Sequence, residues 1–208
     1  MATLIKKVKE LKKSPIREKI ENRIKEFEEA GRKKENEAFG ELCFCLLTAN
    51  FSAQRCIKIQ KEMGRDFKIL SESELASSLK KHGHRFPNTR AKYIYEARAC
   101  ENDLIKMIGD GKTRRKKLVK EIKGLGMKEA SHYLRNMGFK DVAIVDFHII
   151  DLLKKENLIE FDRKKQTLSE KKYLEIEKIL EDLAKKLEMN LAELDLYLWY
   201  LETGKVLK

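Results

Sequence analysis

Apolar residues recur at three- and four-residue intervals along most of this chain, the spacing that collects them on one face of an α-helix. Only two prolines, Pro15 and Pro87, interrupt it. The first helical pattern runs from about Thr3 to Ala30, with a break at "SPIREK" where Ser14 can cap and Pro15 can take the first helical position. "ENEAFGELCFCLLTAN" is apolar almost all round and predicts a buried central helix. "SAQRCIKIQKEMG" follows, opened by Ser52 and stopped by Gly64, then "SESELASSLKKHG", in which Ser71 and Glu74 have capping-box spacing. The loop "HRFPN" leads to one long helix, "TRAKYIYEARACENDLIKMIGDG". "TRRKKLVKEIK" and "MKEASHYLRNMG" flank the turn "GLG", and "VAIV" reads as an extended apolar stretch ahead of a helix starting near Asp146. Two more helices, "SEKKYLEIEKILEDLAKKL" and "NLAELDLYLWYLETG", end the chain. Alternating strand pairs with tight turns are missing from the pattern, so the expected fold is all-α.

Composition adds a partner class. The 208 residues carry a net charge of +12 and a pI near 9.4, an excess that suits a polyanion because each neutralised phosphate releases counterions. Lys- and Glu-rich proteins are often basic without binding anything, so the charge alone does not decide. No apolar run reaches bilayer length and the start "MATLIKKVKELKK" is too short in apolar residues for a secretory signal, which places the expected protein in the cytoplasm near the nucleoid. Cys43, Cys45, Cys56 and Cys100 lack metal-ligand spacing and read as reduced, packed thiols; neither a metal nor a cofactor is expected.

The chemistry concentrates around "IKGLGMKEASHYL". Gly124 and Gly126 permit a sharp reversal between two helices, Leu125 can turn inward to pin it, and the free N–H groups of the next helical turn suit a phosphate. Arg114, Arg115, Lys116 and Lys117 add charge upstream. Lys128 then stands in the first helical turn, where the helix dipole and the neighbouring cations both disfavour a charged side chain. A lysine that merely extends into water tolerates this position; a lysine used as a neutral nucleophile exploits it. Asp146, placed to cap the helix after "VAIV", is the matching carboxylate, able to stabilise a cationic sugar.

Together, "GLGMKEA" and "VAIVDFH" resemble the signature of the helix-hairpin-helix DNA glycosylases. More narrowly, "LTANFSAQ", "HRFPNTRAKYI", "GMKEASHYLRN" and "WYLETGKVLK" resemble the archaeal 8-oxoguanine DNA glycosylases of the second type. The resemblance implies two helical lobes with a DNA-binding cleft between them. One is formed by residues 1–33 with 140–208; the other, 34–139, carries the helix-hairpin-helix at about 112–137. It also implies a bifunctional glycosylase and lyase acting, as a monomer, on double-stranded DNA with a damaged base. Lys128 would attack C1′ and Asp146 would shelter the sugar. Lys123 replaces the proline often found before the hairpin, and no cysteine follows Cys100, so the family's iron–sulfur branch does not fit.

By the same resemblance Trp199 stacks on the flipped base, Lys208 with its terminal carboxylate reaches the base edge, and Phe86 wedges into the vacated stack. Arg85, Asn88 and Arg90 share a basic loop with Phe86, the arginines facing phosphates or the orphaned base. Asn50 either fills the gap left by the nucleotide or ends its helix; His132 either approaches the base or 5′ phosphate or packs in the core. A glycosylase for oxidised pyrimidines and a non-catalytic helix-hairpin-helix DNA-binding protein are the rival readings.

Overall fold

The computed structural model describes residues 1–109, 113–162 and 168–208, with the backbone alone for 34–36. Every regular element among the described residues is helical. In chain order these are α1 (Ala2–Leu11), α2 (Ile16–Arg32), α3 (Lys34–Thr48), α4 (Ala53–Met63), α5 (Asp66–Ile69), α6 (Glu72–Lys81) and α7 (Pro87–Ala97). A 3₁₀ turn (Arg98–Asp103) leads to α8 (Leu104–Gly109), α9 (Arg114–Glu121), α10 (Met127–Asn136), α11 (Phe147–Lys155), α12 (Glu170–Leu187) and α13 (Leu191–Thr203).

The chain divides into two units, one of residues 1–29 with 138–208, the other of residues 30–137. In the second, α3 is the central element. Leu42, Phe44, Leu46 and Leu47 are fully buried on it, and α4, α7, α8 and α10 pack around it. Consecutive rather than stripe-like burial is what an all-round apolar helix requires. Replacing one such leucine by alanine costs about 2–5 kcal/mol. In the first unit, α12 and α13 pack on each other and on α1, with Tyr173, Ile176, Leu183, Leu194 and Leu198 inside; α11 packs on α13.

Local signals set the helix starts. The Ser71 hydroxyl accepts from the Glu74 N–H while the Glu74 carboxylate accepts from the Ser71 N–H, the reciprocal box its spacing predicts. The side chains of Ser52, Ser169 and Asn190 accept the N–H of Arg55, Lys172 and Glu193 at the starts of α4, α12 and α13, without the reciprocal bond.

Three expectations need correction, and one helix went unread. The helix predicted over 89–111 breaks at Arg98, where the Arg98 guanidinium donates to the carbonyls of Phe67 and Leu70 (2.9 and 2.6 Å) and residues 98–103, which include the weak helix formers Cys100, Asn102 and Asp103, tighten into a 3₁₀ turn. Helix α5, a single turn, has no periodic signal. Pro15 precedes the first residue of α2 instead of occupying it. Helix α7 starts at Pro87, inside the segment read as a loop. The expected helix end at Asp110–Gly111 and the hairpin start at 112 lie outside the described residues.

Candidate active site

The hairpin of the second unit is built from two glycines that differ. Gly124 has φ +84, and a Cβ there would lie 2.2–2.8 Å from the Tyr93 ring of α7, so the turn needs glycine both for its backbone angle and for the ring packed against it. Gly126 is extended (φ −88, ψ −178) and caps α10 without a side chain, which leaves the first N–H groups of that helix with no side-chain cap. Between them Leu125 is buried. Of the cations upstream, Arg115 is committed: its Nη1 donates to the Ser131 hydroxyl at 3.1 Å, which donates to the Met127 carbonyl at 2.9 Å. Lys116 and Lys117 are exposed.

Lys128 follows one residue into α10. Its side chain is 25% exposed, and Nζ lies 3.7 Å from a carboxylate oxygen of Glu129, itself 15% exposed. The sequence pattern pointed only to the positive field at this position; the structure adds a carboxylate beside the amine. His132, one turn on, is buried with its ring edge-on to Phe44 (centroids 5.5 Å apart, 77° between planes). A buried polar chain fixes the far end of the helix. Arg135 Nε donates to Asn136, Asn136 Nδ2 donates to Glu41 at 3.0 Å, and Gln60 Nε2 donates to the other Glu41 oxygen at 3.1 Å. These four residues escaped the sequence reading, although a lone glutamate in "FGELCFC" was a visible sign that a buried carboxylate needs partners.

Two segments of the same unit are tied together by His84. Its Nδ1 accepts the Phe86 N–H (3.1 Å), so Nε2 carries the proton and donates to the Leu47 carbonyl (3.0 Å) at the end of α3. Burial pushes the His84 pKa down, and Arg90 and Arg55 push the same way, while the bond to Leu47 opposes them. Phe51 lies against the His84 ring at 4.2 Å. Arg90 plays a parallel part. It is 7% exposed, and Nη2 donates to the Ala49 carbonyl at 2.6 Å, so it is a strut within the unit and no member of a projecting basic loop. A buried guanidinium is driven to a carbonyl within reach, here that of Ala49. Arg85 and Asn88 are exposed, Arg85 over the partly buried Phe86 ring (5.1 Å), but Asn88 lies on α7. Asn50 is exposed with φ +58 just past the end of α3, the left-handed position that asparagine tolerates at a helix end.

In the first unit Asp146 caps α11, Oδ1 accepting from the Ile149 N–H at 2.9 Å. The four residues before it, Val142 to Val145, are buried and lie outside any helix or turn. Trp199 of α13 meets His148 edge-on (4.8 Å, 77°), and its Nε1 is buried without a hydrogen-bond partner among the described residues. Lys208 is partly buried. Burial pushes the Cys56 thiol up to about 12 and Cys43 higher still, the behaviour of inert thiols. Among the described residues, no cluster of His, Cys, Asp and Glu could hold a metal ion, and no helix is long and apolar enough to cross a membrane.

A glycine hairpin followed by a first-turn lysine, and an aspartate capping a second helix, are the parts that the sequence resemblance requires. The sequence pattern of the 8-oxoguanine DNA glycosylases matches residues 20–189. The chain belongs to this family. Among its relatives is the 8-oxoguanine DNA glycosylase/AP lyase of Methanocaldococcus jannaschii, 52% identical over 207 residues that make up 99% of each chain. The protein of the same name from Korarchaeum cryptofilum is 50% identical over 208 residues, 99% of this chain and 98% of that one. The crystal structure of the Methanocaldococcus jannaschii 8-oxoguanine glycosylase/lyase in complex with a 15mer DNA containing 8-oxoguanine superposes with a TM-score of 0.94 at 50% identity, covering 99% of this chain and 100% of that one. Kinship therefore spans both units.

Proposed function

We propose that this family member excises 8-oxoguanine from double-stranded DNA and then cuts the strand as an AP lyase. The damaged nucleotide must leave the stack, at a cost of a few kcal/mol, before its C1′ can be reached. Lys128 as the free amine attacks C1′; the glycosidic bond breaks, and the base departs with its electron pair and takes up a proton. The sugar ring opens to an imine on Nζ, and loss of a C2′ proton then expels the 3′ phosphate. Asp146 stabilises the positive charge that develops on the sugar. One of its oxygens is held by the Ile149 N–H, which fixes the direction of the carboxylate. The uncapped N–H groups after Gly126 and the exposed Lys116 and Lys117 suit a DNA phosphate.

Trp199 stacks on the extruded base, an interaction worth about 1–3 kcal/mol. Its unpartnered Nε1 is a reason to expect an acceptor in the bound state. Lys208 contacts the edge of that base, His132 contacts the base as well, Phe86 takes the vacated place in the stack, and Asn50 and Asn88 contact the DNA from the same unit as the hairpin. Arg85 faces phosphate. Arg90, buried against Ala49, supports the DNA-facing segment from behind.

The observation that carries the proposal is the full-length kinship to named glycosylase/lyases in a chain that has both a first-turn lysine after the hairpin and an aspartate cap. Borohydride reduction on a duplex with one 8-oxoguanine tests it. The wild type is expected to form a covalent adduct that Lys128→Gln loses while still binding the duplex. Normal trapping by that variant would remove Lys128 from its role. Strong cleavage of thymine glycol with none of 8-oxoguanine would reassign the lesion, and binding without any adduct would leave a DNA-binding protein.

A further inference from the structure

Val142 to Val145 lie outside any helix or turn, and among the described residues no strand lies beside them. In an extended segment the N–H and C=O groups of alternate residues face the same edge. Buried, those groups must find partners. They find them on helix α12, some thirty residues later in the chain. The Glu177 carboxylate accepts the Ala143 N–H at 2.9 Å. The Tyr173 hydroxyl donates to the Ala143 carbonyl at 2.7 Å and accepts the Val145 N–H at 3.1 Å. Tyr173 and Glu177 are four residues apart on one helical face, 1% and 6% exposed, so a single turn of α12 stands in for a neighbouring strand. A hydroxyl can serve both an acceptor and a donor from the same atom.

Val145 is the residue before Asp146. The Asp146 backbone is thus gripped on one side through Val145 by Tyr173, and its carboxylate on the other by the Ile149 N–H. We infer that Tyr173 and Glu177 are positioning residues that set the place of the Asp146 carboxylate for its work at the sugar. The inference rests on the role proposed above for Asp146. A plain packing role would demand only an apolar residue of similar size at 173, and would not demand a buried carboxylate at 177, which is costly to desolvate.

The test is a double-mutant cycle read as the single-turnover rate of 8-oxoguanine release, with duplex affinity measured alongside. Tyr173→Phe keeps the ring and deletes the hydroxyl. With misplacements of about 1 Å able to slow a reaction about a hundredfold, it is expected to lower the rate about ten- to a hundredfold and leave affinity within about twofold. In an Asp146→Asn background the same change is expected to add less than about twofold, because the group it positions is already disabled. Glu177→Gln, which keeps an acceptor oxygen for Ala143, is expected to stay near the wild-type rate, and Glu177→Leu to behave like Tyr173→Phe. If Tyr173→Phe does not fold, the Glu177 pair and its cycle with Asp146→Asn decide alone. A wild-type rate in Tyr173→Phe or Glu177→Leu, or an equal loss with and without the Asp146 carboxylate, would overturn the inference while leaving the function in place. A wild-type rate in Asp146→Asn itself would remove the assigned role of Asp146, and the inference with it.

Discussion

Two short non-helical stretches deliver the proposed reactive groups, and they are held in opposite ways. Gly124 to Gly126 enters α10 as a turn whose shape is set by absence: no Cβ at Gly124 lets the Tyr93 ring close on the backbone, and no side chain at Gly126 leaves the helix start open. Val142 to Val145 enters α11 as a non-helical run whose backbone is held by side chains supplied from α12. The first is specified mostly by its own residues, the second mostly by residues far along the chain. A turn can carry its instructions locally because glycine alters the backbone's own energy surface. An extended segment has no internal hydrogen bonds, so whatever holds it must come from elsewhere.

The largest effect is expected where the local device is most tightly drawn. Gly124→Ala forces an L-residue to φ +84, a strain of about 1–2 kcal/mol, and drives a methyl into the Tyr93 ring, a further 1–3 kcal/mol or so. Denaturant unfolding should therefore show a loss of about 2–5 kcal/mol. Adding Tyr93→Ala removes the overlap but not the strain, so the Gly124→Ala penalty should fall to the strain alone in that background. A penalty below about 1 kcal/mol in the single variant would mean that the turn relaxes freely and that its shape is not set by glycine.

A smaller effect separates the two jobs of Asp146. As a helix cap it is replaceable by asparagine, whose side-chain oxygen also accepts the N3 N–H, whereas alanine leaves that donor unpaired at a cost of about 1 kcal/mol. Unfolding should rank Asp146→Asn near the wild type and Asp146→Ala about 1 kcal/mol below it, while both variants lose base release. Equal stability of all three would show that the cap does not anchor α11, and that the approach is held by the α12 side chains alone.

What the sequence disclosed follows the same division. The capping box at Ser71 and Glu74, the Ser52 cap and the Asp146 cap each lie within three residues of the group they serve, and the buried α3 announces itself through its own apolar run. Lys128 and the hairpin were legible for that reason too. Arg90 was not. Its residue type points to solvent or phosphate, but the carbonyl that accepts its proton belongs to Ala49, 41 positions away. The break at Arg98 is of the same kind, since Phe67 and Leu70 offer the carbonyls that draw the side chain. Glu41, Asn136, Tyr173 and Glu177 complete the pattern: buried polar residues whose partners are settled by the fold. A pairing of this sort has no period and no fixed spacing, so one sequence holds no trace of it beyond a polar residue in an apolar place.

The smallest change in stability is expected one residue pair away from the largest. At Gly126 the backbone is extended, an arrangement any residue adopts, and among the described residues a Cβ would meet the Glu129 carboxylate alone, at 3.1 Å. That carboxylate ends a flexible side chain and can move, so Gly126→Ala should change unfolding stability by no more than about 0.5 kcal/mol. If the open start of α10 receives a phosphate, the added methyl should obstruct the close approach of the DNA backbone and weaken duplex binding about five- to tenfold, close to 1 kcal/mol. Moving Glu129 also disturbs the carboxylate beside Lys128, so binding is best compared in a Lys128→Gln background, where no amine remains to be affected. Unchanged affinity there would mean that the helix start does not touch DNA, and that Gly126 is small for the sake of Glu129 alone. Weakened affinity with intact stability would assign the two glycines to different tasks, Gly124 to the turn and Gly126 to the ligand, within a motif whose symmetry on paper suggests one.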